Sequence, residues 1–321
     1  MKKSVPKVSV IIPVYNAEKT IEKCCNALFA QTLQDMEFIF VDDCSTDRTI
    51  DIIRSFGDKE LKKRTRIISQ SQNMGVSAAR QNGLEHANGE YVIHCDSDDW
   101  PEPDMYEKLY KKAIDEQADI VCCDYVADYK TESIVYRFPD NSIGNPSFCI
   151  KPIEGAVWNK LIKRTLFVDN NISFPIGVNL GEDFVVVTSA RVVAKRETVL
   201  HEPLYHYNQM NVSSITHNYT RERFIEVLKL AKELEFFLKN NGLYALYMQQ
   251  LMYLQFQVKS FFIIYPHVRD LTFWKKTYPE SNKYIWQYQN TPFNMKLIAW
   301  LISKGFEKTA RYLLSIKDSM N

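Results

Sequence analysis

The sequence predicts an α/β fold, in which a mainly parallel β-sheet carries helices on both faces and a smaller helical region follows. Short β-branched runs alternate with segments whose apolar residues recur at helical spacing, and strands joined in this way pair in parallel. The composition is that of a globular protein, since 45% of the 321 residues are hydrophobic and the net charge is +1. This excludes a disordered chain and disfavours a strongly basic nucleic-acid-binding protein.

Strands are predicted where short, mostly apolar runs rich in β-branched or aromatic residues stand between polar segments. Strands covered by helices on both faces have this character, because neither face meets water. In chain order the predicted strands are Val8–Ile12, Phe38–Val41, Arg66–Ile68, Tyr91–His94 and Asp119–Cys123.

Helices are predicted between these strands, where apolar residues recur every three or four positions and so share one face. Asn88-Gly89 ends one of them, as a polar turn before a strand would. The predicted helical segments contain Ile21, Cys24, Cys25 and Leu28; Ile50 and Ile53; Ser77 to His86; Met105, Leu109 and Ala113; and, further on, Phe184 to Val187.

The chain divides into two regions with different charge. Residues 221–321 hold 15 Lys and Arg against 8 Asp and Glu, and 20 of the 41 aromatic residues. We predict a first domain over residues 1–219 and a helical region over 220–321, separated by the polar run Asn211–Thr220. Most of these aromatic residues are expected in the core; contact with an anionic membrane and formation of a homodimer are competing roles for the surplus.

The cysteines and the amino terminus predict a cytoplasmic protein. None of the seven cysteines forms a CxxC pair, so we expect buried thiols in a reducing compartment rather than disulfides or a zinc site. The apolar run after Met1-Lys2-Lys3 is short and strand-like, unlike a signal peptide. No stretch approaches the ~20 apolar residues of a spanning helix, so any membrane contact would be peripheral, at the inner face.

Acidic residues follow two of the predicted strands. Asp42 and Asp43 come after the second strand, and Asp96, Asp98 and Asp99 after the fourth. Ligands of parallel sheets bind beyond the carboxyl ends of the strands. Carboxylates that converge there repel one another, so a divalent cation or a donor-rich ligand is expected between them.

The segment Asp96-Ser97-Asp98-Asp99 has the spacing of a metal site. Residues two apart on an extended segment share a face, and two carboxylates can hold Mg²⁺ or Mn²⁺ while phosphate oxygens complete its coordination. A solvated acidic turn that caps the next helix is the structural alternative. An EF-hand is excluded, because Trp100 and Pro101 stand where that loop needs Asp or Asn and then Gly. A phosphohydrolase that uses an aspartate directly after a strand stays open.

Three further residues suggest a nucleotide at the same edge of the sheet. Asp43 is suited to accept a hydrogen bond from a nucleobase N–H, and Tyr15 to stack on the base. Arg80 sits on a helix that starts at this edge and has the geometry to fork onto phosphate. The structural alternatives are an Asx turn, with Asp47 capping the next helix, and an ordinary exposed arginine.

The sequence contains neither GxGxxG after the first strand nor GxxxxGK[ST]. Phosphates must therefore be held by a metal and side chains rather than by a glycine-rich loop. This argues against dehydrogenases, P-loop kinases and nucleotidyltransferases with a glycine-rich first loop.

Four motifs occur together in order and spacing, where each alone would be weak. They are Val8–Asn16, Val41–Asp47, Asn73–Arg80 and Asp96–Asp99. With them, the chain resembles the family 2 glycosyltransferases of the GT-A fold. Ala156–Leu161 and Gly181-Glu182-Asp183 resemble the acceptor side of members that build bacterial cell-surface polysaccharides.

This resemblance implies inverting transfer of a sugar from a nucleotide-sugar, usually UDP-linked, to an acceptor hydroxyl. Asp43 would contact the uracil and Tyr15 would lie beside it. Arg80 would sit near the nucleotide. Pro13 and Ser97 belong to the same motifs and are expected to line the donor site.

The resemblance also implies a metal-bound diphosphate and a general base. Asp96 and Asp98 would hold Mn²⁺ or Mg²⁺, with Asp99 as a further direct ligand, and Asp183 would take the proton of the acceptor hydroxyl. Considered alone, Asp183 reads as a helix N-cap before an apolar run. The competing class is a non-catalytic nucleotide-sugar-binding protein, which would need neither base nor metal.

The acceptor, a saccharide or lipid-linked saccharide, is expected near Trp158, Lys160, Glu182 and His206. Trp158 is suited either to stack on a sugar ring or to pack in the core. Many family members carry an arginine where Asn208 stands here. If that arginine holds the leaving diphosphate, His206 or Lys160 would replace it.

Overall fold

The computed structural model describes residues 5–56, 63–139, 148, 152–210, 220–289 and 291–319. The chain forms two compact units, Met1–Ser147 with Lys151–His217, and Phe148–Ile150 with Asn218–Asn321. The predicted boundary run lies outside the described residues from position 211 to 219.

Parallel strands form one half of the sheet in the first unit. β1 (Val8–Val14) lies between β2 (Met36–Asp42) and β4 (Tyr91–His94), and β3 (Thr65–Ser69) pairs with β2, all in parallel. Their carboxyl ends therefore open onto one edge, as the sequence predicted. Every residue of β1, β2 and β4 is buried, which explains their apolar character.

Shorter antiparallel strands interrupt the other half. β8 (Lys160–Lys163) is inserted between β4 and β6 (Ile120–Asp128) and is antiparallel to both. β9 (Glu197–Asn208) runs parallel to β6 and antiparallel to β5 (Trp100–Pro101). The sheet order is β3-β2-β1-β4-β8-β6-β9-β5. The predicted mainly parallel sheet is confirmed, but the antiparallel strands were not predicted. These are β5 (Trp100–Pro101), β7 (Ser133–Tyr136) and β8.

Helices cover both faces of this sheet. α1 (Ile21–Phe29) packs into the same buried cluster as Val10 and Ile12, through residues that include Ile21 and Leu28. α3 (Val76–His86) covers the opposite face and lies so close to β1 that a Cβ on Gly83 would stand 2.3 Å from Ile11 Cγ2. The helices are α1 (Ile21–Phe29), α2 (Thr49–Ser55), α3 (Val76–His86), α4 (Met105–Asp115), α5 (Pro152–Gly155), α6 (Arg164–Asn170) and α7 (Glu182–Val193).

The regular structure of the second unit is helical throughout its described residues, and short turns join the helices. Its first long helix begins at the N-cap Thr220, whose hydroxyl accepts a hydrogen bond from Arg223 N–H. Lys259 is completely buried, and its ammonium donates to Thr277 O, Tyr278 O and Asn282 Oδ1. The helices are α8 (Arg221–Asn240), α9 (Tyr244–Ile264), α10 (Leu271–Lys276), α11 (Phe293–Ser303) and α12 (Glu307–Asp318), with 3₁₀ segments Pro266–Val268 and Pro279–Gln287.

Neither a membrane-spanning helix nor a disulfide occurs in the described parts of the chain. No helix in these parts of the chain is long and apolar enough to cross a bilayer. The cysteines in these parts are free thiols; Cys44 is exposed and the others are buried. Cys149 lies outside the described residues.

Candidate active site

The loops that follow β1 and β2 are tied together at the carboxyl edge of the sheet. Asn16 N–H donates to Ser45 Oγ at 3.0 Å, and Thr46 N–H donates to Asn16 Oδ1 at 2.8 Å. Tyr15, which directly precedes Asn16, is half exposed. Pro13 is buried within β1. The phenol ring of Tyr15 is therefore accessible at the position predicted to lie beside a nucleobase.

Asp43 organises the loop that leads into α3. Its carboxylate accepts hydrogen bonds from Gln70 Nε2 at 2.6 Å and from the N–H groups of Met74 at 2.7 Å and Gly75 at 2.8 Å. A carboxylate offers about four lone-pair positions. The side chain is 4% exposed and already has three donors, so a nucleobase would have to add to this set or displace one of its members.

Gly75 makes this loop geometrically possible. It precedes α3 with φ of +88°, which a residue with a Cβ adopts only under strain. A Cβ here would also lie 2.2 Å from Asn179 Oδ1. The helix that begins after Gly75 carries Arg80 one turn further on.

Arg80 joins three acidic residues from distant parts of the chain. Its Nη2 donates to Asp96 Oδ1 at 2.7 Å, and its Nη1 donates to Glu182 Oε1 at 2.5 Å and to Asp183 Oδ1. The Arg80 residue as a whole is only 4% exposed. The alternative of an ordinary exposed helix arginine is therefore wrong, and the predicted base Asp183 lies beside the predicted metal loop.

Burial and like charges shift both carboxyl groups at the start of α7. Burial, followed by the charge of Asp183, raises the pKa of Glu182 to about 8, although Arg80 opposes the shift. Burial raises the pKa of Asp183 to about 6, against the opposing charge of Arg80 and a hydrogen bond from Val157 N–H. A general base works best when its pKa lies near the operating pH. Asp183 meets this condition better than an exposed aspartate would.

Asp99 is held away from solvent by β9. Asn208 N–H donates to its Oδ1 and the Tyr205 hydroxyl to its Oδ2, both at 2.8 Å. Burial, then the charges of Asp98 and Asp96, raises the pKa of Asp99 well above its usual range. Asn208 Nδ2 also donates to the Asp98 carbonyl at 3.1 Å. Both Asp99 oxygens thus brace the loop, which does not fit the predicted role of direct metal ligand.

Two carboxylates are left for a divalent cation on this loop. Asp96 and Asp98 are half-buried, like Ser97 between them. Among the described residues, no group of three or more His, Cys, Asp or Glu side chains is arranged as a metal cage. Mg²⁺ is usually held by one or two carboxylates together with substrate phosphates. The donor set of Asp96 and Asp98 fits that class of ion.

The predicted acceptor-side residues are not gathered at one open surface. Trp158 is buried and stacks on Tyr205 at 4.6 Å between centroids, as the core alternative predicted. Lys160 is completely buried. His206 lies between Glu102 and Asp128, each 2.8 Å from a ring nitrogen. Lys160 and His206 thus face protein partners, and neither is an open cation for a diphosphate.

Several residues that shape the site belong to no motif of the sequence and were not predicted. Gln70 and Tyr205 hold Asp43 and Asp99 in place, and Val157 acts through its backbone N–H, for which a sequence carries no signal. His94, the buried last residue of β4, has two ring nitrogens without a hydrogen-bond partner among the described residues. Burial, then the charge of Arg80, lowers the pKa of His94 well below its usual range. It is therefore a neutral neighbour of Arg80.

A mainly parallel sheet with an acidic loop at its carboxyl edge, and a buried carboxyl pair beside it, is the arrangement expected of a glycosyltransferase of the GT-A fold. Residues 9–174, more than half of the chain, match the model of glycosyl transferase family 2. The chain belongs to this family, and the protein is a glycosyltransferase.

Individual relatives agree with this assignment. EpsH of Bacillus subtilis (strain 168) is 31% identical over 280 residues, which cover 84% of this chain and 78% of EpsH. S. aureus TarS, solved in complex with UDP, is 18% identical with a TM-score of 0.72, covering 98% of this chain and 92% of the solved chain. The mannosyltransferase PcManGT from Pyrobaculum calidifontis, solved with GDP-Man and Mn²⁺, is 16% identical with a TM-score of 0.52, covering 98% and 85%. At these identities the two structures show the shared fold.

Proposed function

We propose that this protein is an inverting glycosyltransferase that moves a sugar from a UDP-linked donor to an acceptor hydroxyl, with Asp183 as the general base. The observation that carries the proposal is the Arg80 cluster, in which one guanidinium contacts both Asp96 and Asp183. This puts a proton acceptor next to the loop that would hold the donor diphosphate.

The proposed reaction is a single displacement. The acceptor O–H loses its proton to Asp183, and the oxygen lone pair forms a bond to the anomeric carbon. The bond from that carbon to the phosphate oxygen breaks on the opposite face, so the nucleoside diphosphate leaves with the electron pair. A divalent cation on Asp96 and Asp98 would supply Lewis-acid neutralisation of the leaving diphosphate. Asp43 and Tyr15 would orient the nucleobase, with Pro13, Arg80 and Ser97 along the donor site.

Two alternatives from the sequence lose support. A phosphohydrolase is disfavoured by the family assignment. A non-catalytic binding protein would not require the ionisable pair Glu182 and Asp183 to be buried beside the metal loop. A phosphohydrolase would release phosphate without any acceptor, and a glycosyltransferase would not.

Donor binding is testable by thermal unfolding. A ligand that binds only the folded state at 100 times its Kd adds about 2.7 kcal/mol to the free energy of unfolding. We expect UDP-sugars with Mn²⁺ to raise the melting temperature by a few degrees, and UDP-sugars with EDTA, or GDP-sugars with Mn²⁺, to have little effect. Asp98→Asn should lose the Mn²⁺-dependent increment, whereas the exposed Asp169→Asn should keep it.

The proposal would be contradicted if no nucleotide-sugar changed the melting temperature, with or without Mn²⁺. An equal response to UDP- and GDP-sugars would contradict the assignment of uracil as the nucleobase of the donor. It would leave the proposal of sugar transfer unaffected.

We infer that the acceptor is a saccharide or lipid-linked saccharide of the cell surface, reached at the inner face of the membrane. An aromatic cluster of the second unit supports membrane contact: Trp286 lies 6.0 Å from Phe293 and 6.3 Å from Trp300 between ring centroids. Trp286 is 48% and Phe293 72% exposed. Lys296 Nζ approaches Trp286 O at 3.4 Å. Exposed aromatic rings beside lysines are typical of surfaces that rest on anionic lipid.

This contact predicts salt-sensitive sedimentation with vesicles. The wild type should sediment with phosphatidylserine-containing vesicles at low salt and be released at high salt, because each Lys or Arg near the surface contributes about 1 kcal/mol. Trp286→Ala with Phe293→Ala should weaken binding, whereas Phe236→Ala, an equally exposed phenylalanine on α8, should not. Indifference to anionic lipid, with a concentration-dependent dimer in solution, would favour the dimer alternative instead.

A further inference from the structure

The ammonium group of Lys160 is buried inside the first unit. Lys160 is 0% exposed, and its Nζ donates to Ala156 O and to Asn159 Oδ1, both at 2.8 Å. Lysines are almost never fully buried unless they are paired. The two acceptors offset the free-energy cost of removing the ammonium from water. The structural role of the Ala156 and Asn159 groups therefore indicates the role of the buried charge.

The partners of Lys160 belong to a short segment fastened to the sheet. Lys160 N–H donates to Val157 O at 3.4 Å, closing a turn over these residues. Asn159 Nδ2 donates to Cys123 O, and Cys123 N–H donates to Asn159 O, both at 3.0 Å. Asn159 thus anchors the turn to β6, and the side chain of Lys160 binds the carbonyl at the start of the turn.

The same turn holds the proposed base. Val157 N–H donates a hydrogen bond to the Asp183 carboxylate. That N–H and the Ala156 carbonyl belong to one peptide group, whose C=O and N–H point in opposite directions because the bond is planar and trans. The lysine therefore binds the carbonyl end of the peptide whose other end donates to Asp183.

We propose that Lys160 is a positioning residue for the general base, acting through the Ala156–Val157 peptide group; this rests on the proposed role of Asp183. The ammonium fixes the orientation of the peptide and polarises it, so that its N–H is a stronger donor to the carboxylate. Asp183 is thereby held between two donors, this N–H and Arg80.

The charges around both groups agree with this arrangement. The positive charge of Lys160 lowers the pKa of Asp183, in opposition to burial, which is the largest influence and raises it. Burial in turn lowers the pKa of Lys160 to about 8. Cys122 and Cys123 on β6, Arg191 on α7 and Glu197 on β9 also face the ammonium.

The test compares two buried lysines. Lys160→Met should lower kcat about 100-fold, the loss typical of a misplaced catalytic group, with the KM for the nucleotide-sugar nearly unchanged. The acidic limb of the kcat profile should move to higher pH, because a base without its positive neighbour binds its proton more tightly. Lys259→Met is the matched control: it removes an equally buried, carbonyl-bound lysine in the second unit and should leave kcat and the profile unchanged.

Lys160→Gln provides a milder second variant, which keeps an amide donor for the Ala156 carbonyl but no charge, and it should shift the profile in the same direction. If folded variants at position 160 keep kcat and the acidic limb of the control, Lys160 has no positioning role. If neither variant folds while Lys259→Met does, the lysine is structural and the proposal is also wrong. Retained transfer by Asp183→Asn would instead overturn the role of Asp183 itself, whatever position 160 shows.

Discussion

Replacing Asp183 with asparagine is expected to lower kcat by about 10³- to 10⁴-fold, the upper part of the range for a general base. The amide cannot take the proton of the acceptor hydroxyl. It can still accept hydrogen bonds through Oδ1, so the contacts with Arg80 and Val157 N–H need not be lost. Donor binding, measured by the thermal shift with a UDP-sugar and Mn²⁺, should therefore persist.

A conservative change at an exposed carboxylate controls for general effects. Asp169→Asn, on the surface of α6, should transfer sugar at the wild-type rate. Full activity of Asp183→Asn would show that another group accepts the proton. Loss of both transfer and donor binding would show instead that Asp183 supports the donor site.

Arg80→Met is expected to cause the largest loss of stability, about 3–5 kcal/mol, the range for removing one partner of a buried ion pair. Asp96, Glu182 and Asp183 would be left beside one another without their shared cation. Chemical denaturation of the variant and the wild type measures the difference. Arg54→Met removes an exposed arginine on α2 and should change stability very little, since exposed charges contribute little.

The loss should depend on pH in a defined direction. An acid with a raised pKa in the folded state binds more protons when folded, so its contribution to stability falls as pH rises above the unfolded value of about 4. Burial already raises the pKa of Asp183 to about 6 and of Glu182 to about 8, and removal of Arg80 raises both further. The deficit of Arg80→Met should thus be larger at pH 8 than at pH 5. If the loss of unfolding free energy were equal at pH 5 and pH 8, the pKa values of Glu182 and Asp183 would not depend on Arg80.

Much of the first unit follows from local sequence. The buried strands β1, β2 and β4 are continuous apolar runs because helices cover both faces, and α1 carries Ile21, Cys24, Cys25 and Leu28 on one side. Strand ends and turn residues then place Tyr15, Asp43 and Asp96 at one edge of the sheet. Such features depend on neighbours in the chain, so a single sequence contains them.

The antiparallel strands could not be predicted in the same way. β8 has only four residues and obtains its partners from β4 and β6, which are far away in sequence. Short strands have weak local signals, and their pairing depends on packing and burial. The same insertion places Lys160 in the interior, whereas the sequence predicts it on the acceptor side.

By itself the sequence determined the α/β architecture, the acidic loop at the end of β4, the family and the residue types available for chemistry, since periodicity and local motifs report these directly. Only the tertiary structure decided how those residues are used. Arg80 forms ion pairs with Asp96, Glu182 and Asp183. Asp99 and Trp158 are buried and contact other protein groups. Burial and partnership decide between a ligand and a support, and both arise from residues that are distant in the chain and meet only when it folds.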